Sequence, residues 1–157
     1  MRREFGKFMV DIAEKDDKVF LLIGDIGFGI FDEYRKRFPD RFINIGICEQ
    51  SMIGVAAGMA LQGLKPYVYT ITPFLIERPF EQVKVDIDIN SVNVKLIGYD
   101  DYPTQGPTHA IENIERLMKH FKNIKSYFPK DNKETRKMLN DISKETCPCF
   151  IRLRKAK

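Results

Sequence analysis

Glu49 and His109 are the side chains of this sequence best set to hold or move a proton. Glu49 lies just past a strand candidate and opens a run of small residues, Gly54, Ala56, Ala57, Gly58 and Ala60. A carboxyl at such a junction can share a proton with a weak base bound beside it. The plainer reading is an acid in the first turn of a helix, held in a salt bridge. His109 closes the string Gly106-Pro107-Thr108-His109. An imidazole there can polarise a substrate oxygen or shuttle a proton near neutral pH, or can be satisfied by local backbone. Phe74 offers an aromatic face for a planar ligand or, equally, ordinary core packing. His120 sits in a polar helix end and is expected at the surface.

Other chemistries find no support. The cysteines Cys48, Cys147 and Cys149 include a C-x-C pair but no metal-ligand spacing, so no metal site is expected on this chain. Their odd number suits reduced thiols in a cytoplasm. Gly24, Gly27 and Gly29 follow a strand candidate, but G-x-x-G-x-G is not the dinucleotide fingerprint. A flexible turn is the better account of them. There is no G-x-S-x-G elbow and no phosphate-cradling Gly-Lys-Ser/Thr.

The elements that must position these residues alternate in type. Strand-like apolar runs occur at 19–23, 42–45, 67–71, 92–97, 124–127 and 150–153. Helix-like segments lie at 5–14, 31–38, 51–61, 78–89 and 111–120, with a last one opening at Asp131 and Glu134, a capping-box pair. Alternation of this kind predicts an α/β fold in three layers, a mostly parallel sheet with helices on both faces. The strand runs are continuously apolar, as expected when both faces are covered. Ligands of such sheets sit beyond the carboxyl ends of the strands. Asp25, Glu49, the segment 72–74 and the segment 100–109 all fall there.

Composition bounds the rest. With 157 residues, 43% hydrophobic and 31% charged, the chain suits one globular domain. The net charge of +4 has no aromatic-interleaved basic motif beside it, so nucleic acid is not an expected partner. The basic cluster Arg152, Arg154, Lys155 and Lys157 is either a solvated tail or a phosphate contact. No leader peptide and no membrane span are expected.

Four segments carry a resemblance. The run RFINIGICEQSMIGVAAGMALQG, residues 41–63, closely resembles the segment bearing the catalytic glutamate in transketolases and deoxyxylulose-phosphate synthases. Gly106-Pro107-Thr108-His109 with Glu112 resembles the family's G-P-T-H segment. Thr72 to Phe74, through Arg78 to Gln82, resembles its aromatic segment, and Phe150 to Leu153 its last strand. The matches follow the family's order along the whole chain. The resemblance implies the pyrimidine-binding domain of a thiamine-diphosphate enzyme. Glu49 would bond ring nitrogen N1′ of the cofactor and drive the aminopyrimidine to its imino form, which takes the C2 proton. Phe74 would stack on the pyrimidine, with Asp25 and Ile47 also near the cofactor. His109 would face cofactor and substrate, and Gln105, Arg154 and Lys155 would meet substrate. Arg78 and Gln82 would fix structure or a subunit contact.

Departures shape the expectation. Where many transketolases carry three aromatics at a spacing of three, this chain has Ile71, Phe74 and Glu77. Gln105 stands where the family commonly has an aspartate that reads a donor hydroxyl. Arg154 comes one residue before the family's phosphate-reaching arginine, and Lys155 holds that position. No G-D-G…N magnesium motif is present. The resemblance therefore implies a separate diphosphate-binding subunit in an α2β2 assembly. That partner would hold the magnesium or calcium ion and share the thiamine diphosphate. The expected reaction moves a two-carbon ketol unit from a ketose-like donor to an aldehyde. The alternatives are a decarboxylating synthase or acyl transferase, a non-catalytic regulatory subunit, and a plain nucleotide-binding module.

Overall fold

A computed structural model describes residues 1–100 and 106–155. Helix α1 (Arg2–Ala13) leads into β1 (Val19–Ile23), α2 (Asp32–Arg37) and β2 (Phe42–Asn44). Then come α3 (Glu49–Leu61), β3 (Lys65–Ile71), α4 (Thr72–Ile76) and α5 (Phe80–Gln82), which runs into a π-helical segment, Val83–Ile89. Strand β4 (Lys95–Tyr99), α6 (Ile114–Met118), β5 (Lys125–Tyr127), α7 (Asn132–Lys144) and β6 (Cys149–Leu153) complete the chain.

The six strands form one sheet in the order β2-β1-β3-β4-β6-β5. Every neighbouring pair is parallel. Successive strand residues face opposite sides, and both sides are buried. Leu21, Ile23, Tyr67, Tyr69, Ile97 and Ile151 pack under α1, α2 and α7. Leu22, Val68, Leu96 and Phe150 pack under α3, the α4–α5 segment and α6. This is the expected three-layer α/β architecture. From β1 the chain steps outward to β2, then crosses back to β3 on the other side of β1. That reversal opens a crevice at the carboxyl ends of β1 and β3.

The element bounds differ from the sequence expectation at informative places. Helix α3 starts at Glu49 itself, two residues earlier than its apolar pattern suggests. The single helix expected over 78–89 is replaced by the end of a break at Arg78 and Pro79, then α5 and the π-helical turns, and a short helix not expected from the sequence, α4, precedes the break. Pro79 has no backbone N–H to continue the preceding turn, so the break falls there. Helix α6 is half the expected length and begins after Asn113, whose Oδ1 accepts from the Arg116 N–H at 2.9 Å. At α7 the capping signal holds: Asp131 Oδ1 accepts from the Glu134 N–H at 2.8 Å. Glu134 reaches back to the Lys130 N–H at 2.9 Å.

Candidate active site

The carboxyl ends of β2 and β3 bring the proposed chemistry together. Strand β2 ends at Asn44, whose Oδ1 accepts from the N–H groups of Asp25 and Gly46 at 3.1 and 3.0 Å. Asn44 Nδ2 donates to Asp25 Oδ1 at 3.0 Å. This clip ties the ends of β1 and β2 and fixes the take-off of the loop to α3. Asp25 sits in it with φ of 51°, in the left-handed region that aspartate tolerates better than most residues.

Glu49 is the first residue of α3 and is buried at 6% exposure. No side chain caps this helix end, so free backbone N–H groups and the helix dipole favour negative charge there. Glu49 Oε1 accepts from Arg78 Nη1 at 2.9 Å, and Arg78 is 40% exposed. The Arg78 guanidinium carbon lies 3.4 Å from the centre of the Phe74 ring. Phe74 in turn meets His109 edge-on, with ring centres 4.8 Å apart and planes at 70°. Glu49, Arg78, Phe74 and His109 thus form one continuous cluster built from α3, α4, the break after it, and the 106–109 turn.

One close packing and one tight turn hold that cluster. Helix α4 lies directly on β4 because Gly98 has no side chain. A Cβ there would sit 2.6 Å from Thr72 Oγ1 and 3.1 Å from Phe150. Thr72 is wholly buried, and its hydroxyl has no hydrogen-bond partner among the described residues. The 3-10 turn Pro107–His109 starts from Gly106 at φ of 90°, a conformation that favours glycine. His109 Nδ1 lies 3.0 Å from the Thr108 hydroxyl.

The other described residues expected at the site sit apart from this cluster's contacts. Ile47 is 70% exposed on the loop before Glu49. Gln105 lies outside the described residues. Arg154 and Lys155 are exposed beyond the end of β6, two strands along the sheet from β3. With Lys130, Phe128 and Arg152 they line a cleft of about 400 Å³. Asp100 partly neutralises it, with Arg152 Nε at 2.6 Å and Arg154 Nε at 4.0 Å from Asp100 Oδ2. No group of three or more His, Cys, Asp or Glu side chains suited to a metal occurs among the described residues. No helix among them is long and apolar enough to cross a membrane.

Sequence reasoning missed the direct pairing of Arg78 with Glu49. The signal was present in the spacing: Arg78 follows Phe74 by four residues, which a helical turn would bring to the same face. The salt bridge belonging to the plainer reading of Glu49 is therefore real. It does not exhaust the site, because the same guanidinium also covers an aromatic face. A buried acid beside that face, with an imidazole at the ring's edge, suits a flat nitrogen heterocycle such as an aminopyrimidine.

Comparison with known proteins identifies the family. The family model described as transketolase, pyrimidine binding domain, matches residues 1–157. One of the subunits of an apulose-4-phosphate transketolase, from Actinobacillus succinogenes, is 42% identical over 122 residues, covering 75% of this chain and 39% of that protein. A 1-deoxy-D-xylulose-5-phosphate synthase of Oleidesulfovibrio alaskensis is 32% identical over 94% of this chain and 24% of its own length. Among solved structures, a split-gene transketolase, described as an inactive beta4 tetramer, superposes with a TM-score of 0.89 at 29% identity. The match covers 99% of this chain and 50% of that one. The chain thus spans about half or less of the length of these relatives.

Proposed function

Because the chain belongs to the transketolase family through its pyrimidine-binding domain, we propose that it is the pyrimidine-binding subunit of a two-subunit thiamine-diphosphate enzyme. The enzyme transfers a two-carbon ketol unit from a ketose-like donor to an aldehyde acceptor. The observation that carries this reading is the buried carboxylate of Glu49 beside the Phe74 face and the His109 edge.

Thiamine diphosphate, when bound, supplies a nucleophilic thiazolium carbon. This chain's residues do the rest. Glu49 would hold a proton against the pyrimidine nitrogen N1′ from its buried position. Phe74 fixes the tilt of the pyrimidine by stacking. His109 reaches the oxygens of donor and acceptor and moves a proton to or from them. Arg154 and Lys155 offer charge to an anionic substrate group, with Asp100 tempering that pull. Gln105 meets a donor hydroxyl. Asp25 and Ile47 border the cofactor.

The diphosphate and its magnesium or calcium ion belong to a separate subunit, in an α2β2 assembly working in the cytoplasm. A relative whose name makes it one subunit of a transketolase supports this. So does the outward stripe of α3, where Ser51, Gly54, Val55, Gly58 and Leu61 line one side of the helix and all are exposed. No atom comes within 4 Å of a Cβ built on Gly58, so another backbone could approach closely there.

The test is Glu49→Ala in the assembled enzyme. Ketol transfer should fall by at least about a hundredfold with assembly intact, the usual scale for losing an acid–base group. Near-normal turnover would sink the assignment. A decarboxylating synthase is the second reading, favoured by the 32% identity to the synthase named above. Release of carbon dioxide from a 2-keto acid donor would select it.

A further inference from the structure

We propose that Arg78 is a built-in stand-in for the cofactor's pyrimidine, one that occupies the pyrimidine position in the ligand-free chain and must leave when thiamine binds. The inference rests on the pyrimidine-site reading above. It starts from what a pyrimidine would need there: an aromatic face to lie on and a carboxylate to receive an N–H. Arg78 uses both at once. Its guanidinium carbon is 3.4 Å from the Phe74 ring centre, which is stacking contact for a flat group. Its Nη1 donates to Glu49 Oε1 at 2.9 Å. A guanidinium is planar, delocalised and weakly hydrated, and it stacks on rings while bonding carboxylates. A protonated aminopyrimidine presents the same features in the same order.

The arrangement solves a problem that Glu49 creates. A carboxylate at 6% exposure with no cation near it would be costly to bury. Arg78 supplies the counter-charge while no cofactor is there. It is suited to leaving because its side chain is 40% exposed. It also sits at the break between α4 and α5 rather than inside either helix. The carboxylates of Glu77 and Glu81, one and three residues away, offer it new partners outside the site. The apparent affinity for cofactor is lowered by the fraction of chains in which the stand-in is seated.

The test titrates thiamine into the chain and into its Arg78→Met variant, following the Phe74 and His109 side-chain resonances by NMR. The melting temperature of each ligand-free chain is measured alongside. Arg78→Met should bind thiamine roughly tenfold more tightly, as expected for removal of a mostly seated competitor. Its ligand-free melting temperature should drop, because Glu49 loses its counter-charge. Arg78→Lys keeps the charge without the plane and should fall between the two; it also serves if the methionine variant does not fold. Equal or weaker thiamine binding by the folded variants overturns the inference and leaves the pyrimidine site standing. If thiamine diphosphate with magnesium moves neither Phe74 nor His109 even when the chain is mixed with its diphosphate-binding partner, the pyrimidine-site reading falls and the inference falls with it.

Discussion

Lys95 shows how differently two buried charges can be handled in one small domain. It is 2% exposed at the start of β4, at the opposite end of the sheet from Glu49. Its ammonium donates to the carbonyls of Glu145 and Cys147 at 3.0 and 2.8 Å and lies 3.7 Å from Cys149 Sγ. Burial holds the Lys95 ammonium below the usual lysine range. Burial also pushes the Cys149 thiol up to about 11, against the pull of Lys95. In the unfolded chain this thiol ionises near its ordinary value of 9.0. Between those values the unfolded chain binds fewer protons than the folded one, so stability falls as pH rises. Lys95 acts in the opposite sense just below its ordinary value, since there the unfolded chain binds more protons. Comparing urea midpoints of wild type and Cys149→Ala isolates the thiol. The gap between them should narrow from about pH 9 to about pH 11 and stay constant below that. A gap that does not change with pH would mean the thiol is not held neutral.

At the same scale, the candidate cluster was legible wherever a proposed role depends on contiguous residues. Glu49 and His109 stand in segments whose residue order is itself the signal. Arg78 was not legible as their companion. Its spacing of four from Phe74 marks that contact, but the pairing with Glu49 joins residues far apart in the chain, which no local pattern shows, and periodicity over 78–89 hid the break at Pro79 behind the pattern of one long helix.

Element boundaries decide whether the site is aimed correctly. Helix α3 begins at Glu49, so the carboxylate sits where backbone N–H groups are unsatisfied rather than a turn further along. Helix α4 is aimed by contact with β4 through Gly98. Gly98→Ala should push α4 off the sheet and displace Phe74, costing about 1–3 kcal/mol of stability, the usual range for overpacking a tight core. Cofactor binding should weaken with it. Urea unfolding gives the first quantity and cofactor titration the second; a variant normal in both would show that the neighbours yield freely. The π-helical segment has a further task. Asp88, 4% exposed, accepts from the N–H groups of Lys122, Asn123 and Ile124 at 3.1, 2.7 and 3.2 Å. It thereby ties the turn after α6 to the helix layer. Sequence patterns located the strands well because buried parallel strands are continuously apolar. The helices after β3 and β4 are short and irregular, shaped by caps and a proline more than by amphipathic period.

For the whole molecule, the described residues offer the proposed cofactor unequal support. The pyrimidine end of the cofactor has candidate contacts here, whereas the metal-bound diphosphate has no carboxylate cluster among the described residues. Thiamine diphosphate with magnesium should therefore bind tightly only when this chain is mixed with its diphosphate-binding partner. Isothermal titration with and without that partner decides it, and tight binding by this chain alone would break the two-subunit picture.

The outer strands of the sheet, β2 and β5, are three residues each. A strand that short offers a passing chain only one or two hydrogen-bonding sites, too few to seed runaway edge-to-edge pairing. On the two-subunit reading proposed above, the chain would spend part of its life without its partner. Blunt borders let it do so at cellular concentration without recruiting copies of itself into fibrils.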